Sequence, residues 1–156
     1  MPKATGSYRD VLRVSMPIVV SMTTTVVMTF TDRVFLANYS IDAIAAALPA
    51  GIIAYVFLIF FADAAGYVSV VIAQYTGAGA LQRVGSAMWQ AIYFALLSWL
   101  IMVGLSFGAG PLFRLVGHSA EVQQLEVIYF RVLCLGSGIH IIGMSLSSFF
   151  TGRGVT

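Results

Sequence analysis

The 156-residue chain is 60% hydrophobic and only 9% charged, with a mean hydropathy of +0.95, whereas an ordinary soluble domain carries about 25% charged residues. This composition excludes a soluble domain and indicates an integral membrane protein. A net charge of +2 and a pI near 8.9 do not indicate a nucleic-acid partner, because the basic residues stand singly between apolar runs and form no patch.

Four apolar runs are each long enough to cross a bilayer: Val14 to Ala37, Ala43 to Tyr75, Val84 to Phe107 and Val122 to Phe150. The first follows a basic lead-in of Lys3, Arg9 and Arg13. It is too long and too rich in threonine for a signal peptide, and no small-residue cleavage site is evident. Pro17 lies near its start, where proline is tolerated more cheaply than in mid-span. On a 3.6-residue helix, Ser21, Thr25, Thr29 and Asp32 share one face, so three hydroxyls lead along a stripe to one acid. Such a stripe needs water, an ion or another helix beside it. Counted from Val14 at about 1.5 Å per residue, Asp32 lies roughly 27 Å along, in the outer part of a layer about 30 Å thick. A carboxylate there either faces a bundle interior or cavity, or reaches the headgroups beside Arg33; at the centre of the layer it costs about 2.5 kcal/mol or more.

Asn38, Tyr39 and Ser40 break the first run, and Ser40 suits an N-cap for the next helix, with Asp42 in its first turn. The second run is longer than a crossing needs, and Pro49 predicts a kink or tilt near its outer end. Asp63, Tyr67 and Gln74 share a face further along. They line a polar path, or Asp63 bonds to Tyr67. Gly77-Ala78-Gly79 then makes a turn; it follows an apolar helix and lacks the glycine spacing and lysine of a phosphate loop. Gly108 to Pro111 end the third run, Leu112 to Gln124 form a mixed connection at the interface, and Gly152-Arg153-Gly154 stops the fourth. Small residues four apart at Ala43, Ala47 and Gly51, at Ala62 and Gly66, and at Gly104 and Gly108 permit close helix packing.

Arg131 and His140 are the remaining ionisable residues noted within the spans. Arg131 snorkels outward or pairs with an acid on another helix, and a lone buried histidine is more often hydrogen-bonded than a ligand or proton carrier. The one cysteine, Cys134, sits inside an apolar run and provides neither a disulfide framework nor a metal cluster. Intramembrane proteolysis is excluded for the serine class, which needs Gly-x-Ser-Gly and a histidine on a neighbouring helix. Position 135 is Leu135, and His140 lies three residues from Ser137 in the same span. No aspartate pair or H-E-x-x-H spacing occurs either.

Thr31-Asp32-Arg33-Val34-Phe35-Leu36-Ala37, Ala45-Ala46-Ala47-Leu48-Pro49-Ala50 and Ala73-Gln74-Tyr75-Thr76-Gly77-Ala78-Gly79 resemble successive signatures of the multidrug and toxic compound extrusion (MATE) transporters. Trp89-Gln90, Leu112-Phe113-Arg114-Leu115-Val116-Gly117, Tyr129-Phe130-Arg131 and Gly152-Arg153-Gly154 continue the resemblance in order, over essentially the whole chain. It implies an all-α membrane protein whose four transmembrane helices are the first part of a six-helix lobe in a twelve-helix fold. Residues 1–156 would then be a partial N-terminal lobe, from a truncated gene or an excerpt of one, with the remaining helices of the full-length transporter as its partners.

The activity implied is secondary antiport of cationic or amphiphilic drug-like compounds against Na⁺ or H⁺, with membrane lipid as surroundings, no other cofactor, no metal, no catalytic residue and no nucleic acid. Asp32 matches the family's first-helix aspartate, implicated in the coupling-ion site. Gln74, Gln90 and Arg131 match recurrent positions of structural or cavity-lining kind, and Thr25, Thr29, Asp63 and Tyr67 complete the candidate polar path. Asp63 stands where small or uncharged residues are common in the family. The alternative is a self-contained four-helix small exporter, or a noncatalytic membrane scaffold. Small exporters also place one acid in the first helix, but they are shorter, and those with dual topology lack a strong basic-residue bias.

With the N-terminus inside the plasma membrane, Lys3, Arg9, Arg13, Arg83 and Arg153 are cytoplasmic and Arg33 and Arg114 lie outside. Five against two predicts cytoplasmic termini. With Cys134 replaced by serine, an impermeant thiol reagent applied to intact cells is expected to label Ser40→Cys and Ser119→Cys but not Gly79→Cys; external labelling at position 79 contradicts the topology.

Overall fold

The computed structural model describes residues 8–154, without the side chains of residues 9–11, 13, 14, 17, 18 and 21. Six helices follow in order: α1 (Tyr8–Tyr39), α2 (Ile41–Gly66), α3 (Val68–Gly77), α4 (Leu81–Phe107), α5 (Ala109–Val116) and α6 (Ala120–Gly152). Lys3 lies outside the described residues. The chain divides into two compact units, Met1–Ile44 and Ala45–Thr156.

In the first unit, α1 runs unbroken for 32 residues. It ends where the Ser40 N–H donates to the Leu36 carbonyl at 3.1 Å, and the Ser40 hydroxyl accepts from the Ala43 N–H at 3.0 Å. Ser40 is therefore the expected cap, and Asp42 lies in the first turn of α2.

In the second unit, α6 packs against α3, α4 and α5. Its buried positions Glu126, Phe130, Cys134, Ser137, Ile141, Ser145, Ser148 and Gly152 recur every three or four residues, one face of a 3.6-residue helix. Phe113 of α5 meets Phe130 edge to face, with centroids 5.6 Å apart, and both join Ala50, Ala54, Met102, Ala109 and Cys134 in the largest apolar cluster. Further along, Ala65, Ala95 and Ile141 form a second cluster, and Ile72, Val84 and Ala87 a third.

The residues from Ile41 to Gly77 form two helices, not one. The helix continues through Pro49 and breaks at Tyr67, 18 residues further on. At the break, the Val70 N–H donates to the Tyr67 carbonyl at 3.0 Å in a tighter turn, releasing the Gly66 carbonyl. That carbonyl accepts from the hydroxyls of Ser69 at 2.8 Å and of Ser148, on α6, at 3.2 Å. The break is thus sealed by side chains. The Gly77-Ala78-Gly79 turn is as expected: Gly79 has φ +71, Ala80 N–H reaches the Tyr75 carbonyl and Gly79 N–H the Thr76 carbonyl, the paired bonds that close a helix through a left-handed glycine.

Among the described residues, three stretches are long and apolar enough to cross a membrane: Ile41–Gly77, Leu81–Phe107 and Ala120–Gly152. The sequence reading of four spans is thus matched for three. The expected interfacial connection from Leu112 to Gln124 is largely helical: α5 buries Ala109 and Phe113, Gly117 ends it at φ +79, and α6 has already begun at Ala120.

Two glycines outside the expected small-residue pairs make the closest approaches. A Cβ on Gly138 would lie 2.6 Å from Cγ of Trp99, and one on Gly152 would lie 2.6 Å from the Ser69 carbonyl oxygen. Gly104, by contrast, has nothing within 4 Å of such a Cβ among the described residues, and Gly108 meets only the Leu105 carbonyl oxygen of its own turn. The Trp99 ring is fixed by its Nε1–H, which donates to the Leu135 carbonyl at 2.9 Å. Gly138→Ala and Gly152→Ala are therefore expected to lower stability by about 1–3 kcal/mol in detergent unfolding. Gly136→Ala, on the same helix with open space around it, is expected to be neutral or to stabilise by up to about 1 kcal/mol.

Candidate functional site

The hydroxyl stripe of α1 is built on exposed positions: Thr25, Thr29 and Asp32 are all exposed, and the side chain of Ser21 lies outside those described. The Thr29 hydroxyl finds its acceptor on its own helix. Thr29 Oγ1 donates to the Thr25 carbonyl at 3.0 Å, and Thr23, Thr24 and Thr31 donate to Val19, Val20 and Val27 in the same i−4 manner. The expectation that the stripe needs water, an ion or a helix beside it is corrected to that extent. Each hydroxyl that donates inward retains lone pairs on its oxygen, so this face presents acceptors ending in a carboxylate.

In the second unit the candidate residues are dispersed. Asp63 and Tyr67 are exposed, joined by the Tyr67 N–H to the Asp63 carbonyl at 3.0 Å; among the described residues no hydrogen bond links their side chains. Gln74 is exposed on α3. Gln90 lines a groove of about 260 Å³ with Ala64, Val68, Val71, Ala87, Ala91 and Phe94, an apolar setting that Asp63, Tyr67 and Gln74 do not join. Arg131 is exposed and its Nε donates to the Ser106 carbonyl at 3.3 Å, so it serves the end of α4 and pairs with no acid among the described residues. The Ser137 hydroxyl is turned to the Cys134 carbonyl at 2.6 Å, while His140 is exposed. No nucleophile–base pair arises there.

The sequence reading passed over one ionisable pair. Glu126 is fully buried, its Oε1 lies 2.6 Å from Nδ1 of His118, and its Oε2 is buried without a hydrogen-bond partner among the described residues. The available signal was spacing: Glu126 stands one turn before Phe130 and two before Cys134, at the head of the buried stripe of α6.

A family model for MatE matches residues 17–156, from within α1 to the end of the chain. The chain belongs to the MatE family. No curated protein and no solved structure matches it. Members of the MatE family are transporters and not enzymes, and the long apolar helices agree with a multi-pass membrane protein. The match spans both units of this MatE chain and includes Asp32, Gln74, Gln90 and Arg131, the residues on which the resemblance rested.

Because the Thr29 hydroxyl is satisfied by its own helix, Thr29→Val, which keeps the shape, is expected to change the stability of this MatE chain by no more than about 0.5 kcal/mol, checked by thermal unfolding in detergent. A larger loss shows that the hydroxyl has a structural partner beyond α1.

Proposed function

We propose that this chain contributes to secondary active efflux, in which cationic or amphiphilic drug-like compounds leave the cell in exchange for Na⁺ or H⁺, and that Asp32 is the coupling-ion carboxylate. The observation that carries the reading is the composition of one face of α1: Thr25 and Thr29, the latter with its hydroxyl donated to the helix's own carbonyl, followed by an acid on the same face. A face that offers acceptors and negative charge suits a cation that must bind and leave. Family membership supports transport as the class of activity.

In this reading α1 is a fourth crossing. Its 32 residues make about 48 Å of helix at 1.5 Å per residue, more than the roughly 30 Å of a hydrocarbon core. Both termini of the chain lie on the cytoplasmic side of the plasma membrane, and Gln74, Gln90 and Arg131 have structural or cavity-lining roles. Alternating access in transporters built from repeats moves one bundle against another around a site between them. The chain therefore works together with further helices.

The test is ion-driven efflux of a fluorescent cation from cells lacking their own exporters. In the complete transporter, Asp32→Asn keeps the shape, removes the charge and is expected to abolish ion-driven efflux at normal expression. Retained efflux with an unchanged ion dependence overturns the assignment. The 156-residue chain expressed alone is expected to give no efflux; efflux from it that is lost on Asp32→Asn would favour the self-contained four-helix exporter.

A further inference from the structure

The sequence between α5 and α6 brings a histidine to a buried acid. Gly117, at φ +79, turns the chain out of α5. The Ser119 hydroxyl caps α6 by accepting from the Val122 N–H at 3.5 Å, and the Gln123 N–H reaches the Ser119 carbonyl at 2.9 Å. His118 is held between these two fixtures. Its side chain is 42% exposed, whereas that of Glu126, two turns into α6, is 0% exposed. The Nδ1···Oε1 separation of 2.6 Å is in the range of charge-assisted hydrogen bonds.

Glu126 lies one turn before Phe130, which is fully buried in an apolar cluster with Phe113 and Ala109. A carboxylate whose second oxygen has no partner is costly there while it carries a net negative charge. One proton removes that charge in either of two ways. On His118 it makes an imidazolium–carboxylate pair, and on Glu126 it makes a neutral acid beside a neutral imidazole. Passing it from one to the other across the hydrogen bond leaves the net charge of the pair at zero.

No other ionised group competes for this role among the described residues. Arg114 of α5 is exposed in a cleft with Gln123 and Gln124. Arg83 of α4 lies over Tyr75 of α3, 5.9 Å from its centroid. Asp63 of α2, the tyrosines Tyr55 and Tyr93, and Glu121 and His140 of α6 itself are exposed. Arg131 turns its Nε to Ser106, and Tyr129 is half-buried near Gly51.

We propose that His118 and Glu126 together form a proton-binding site at the start of α6, with the exposed imidazole as the point where the proton arrives from solution and the buried carboxyl as its counterpart. The site is separate from Asp32 and does not rest on the antiport reading.

The test follows the two histidine rings by NMR in the full chain, ¹⁵N-labelled at histidine and held in detergent micelles, with His140→Gln to assign the signals. An opposite charge within about 4–6 Å changes proton affinity by roughly tenfold or more. Glu126→Gln, which removes the carboxylate that His118 Nδ1 contacts, is therefore expected to change proton binding at His118 by more than about twofold and to leave His140 unchanged. A change at His118 smaller than about twofold overturns the proposal. Where Glu126→Gln does not fold, the exposed position is varied instead. In His118→Gln the pH range over which the infrared carbonyl band of the protonated Glu126 carboxyl disappears is expected to differ from that of the unmodified chain, and a band that titrates alike in both overturns the proposal.

Discussion

A hydrocarbon layer offers no water to a stranded hydrogen-bonding group, so each polar atom on a membrane helix must be satisfied within the protein. The hydroxyls of this chain meet that constraint by turning inward. Those of Thr23, Thr24, Thr29 and Thr31 on α1, Thr76 on α3, Ser98 and Ser106 on α4, and Ser137 and Ser145 on α6 each donate to a carbonyl three or four residues earlier. A helix can thereby carry hydroxyls, buried or exposed, without a partner helix to answer them. Polar groups that the local helix cannot satisfy are answered across the bundle: Trp99 by the Leu135 carbonyl and Ser148 by the Gly66 carbonyl.

The second of these cross-bundle bonds explains how an interrupted helix survives in an apolar setting. Breaking a helix frees a carbonyl, and at Tyr67 the freed carbonyl of Gly66 receives two hydroxyls, one from the local chain and one from α6. Nearby, Gly152 lets α6 approach the Ser69 carbonyl and Ile72 closely. The polar seal and the close packing occur on the same stretch of α3 and reinforce one another. Dispersion contacts replace the hydrophobic force that lipid does not supply between helices.

Features fixed by adjacent residues were legible in the sequence. The Ser40 cap, the glycine turn at Gly79, the apolar runs that became α2 to α4 and α6, and the family itself all depend on neighbouring residues or on the order of short motifs. What escaped depends on partners distant along the chain. The break at Tyr67 has no proline or glycine pair to announce it and is stabilised by a serine 82 positions from Gly66. Gly138 and Gly152 looked no different from Gly104 until Trp99, Ser69 and Ile72 were placed beside them. The candidate site was legible as a set of residue types. In the second unit, however, Asp63, Tyr67 and Gln74 do not join the groove that Gln90 lines.

Burial divides the ionisable groups of the long helices into two kinds with different physical consequences. Asp32, Asp63, Arg131 and His140 are exposed on their helices. Such positions suit exchange with a solute, because the charge is reached without opening the packed interior. Glu126 is the opposite case: it is enclosed, with one oxygen answered by His118 and the other unanswered. An enclosed acid cannot exchange a bulky cation unless the packing around Phe113 and Phe130 opens, but it can exchange a proton with the imidazole already in contact with it. The same packing that hides Glu126 therefore selects the smallest cation as its ligand.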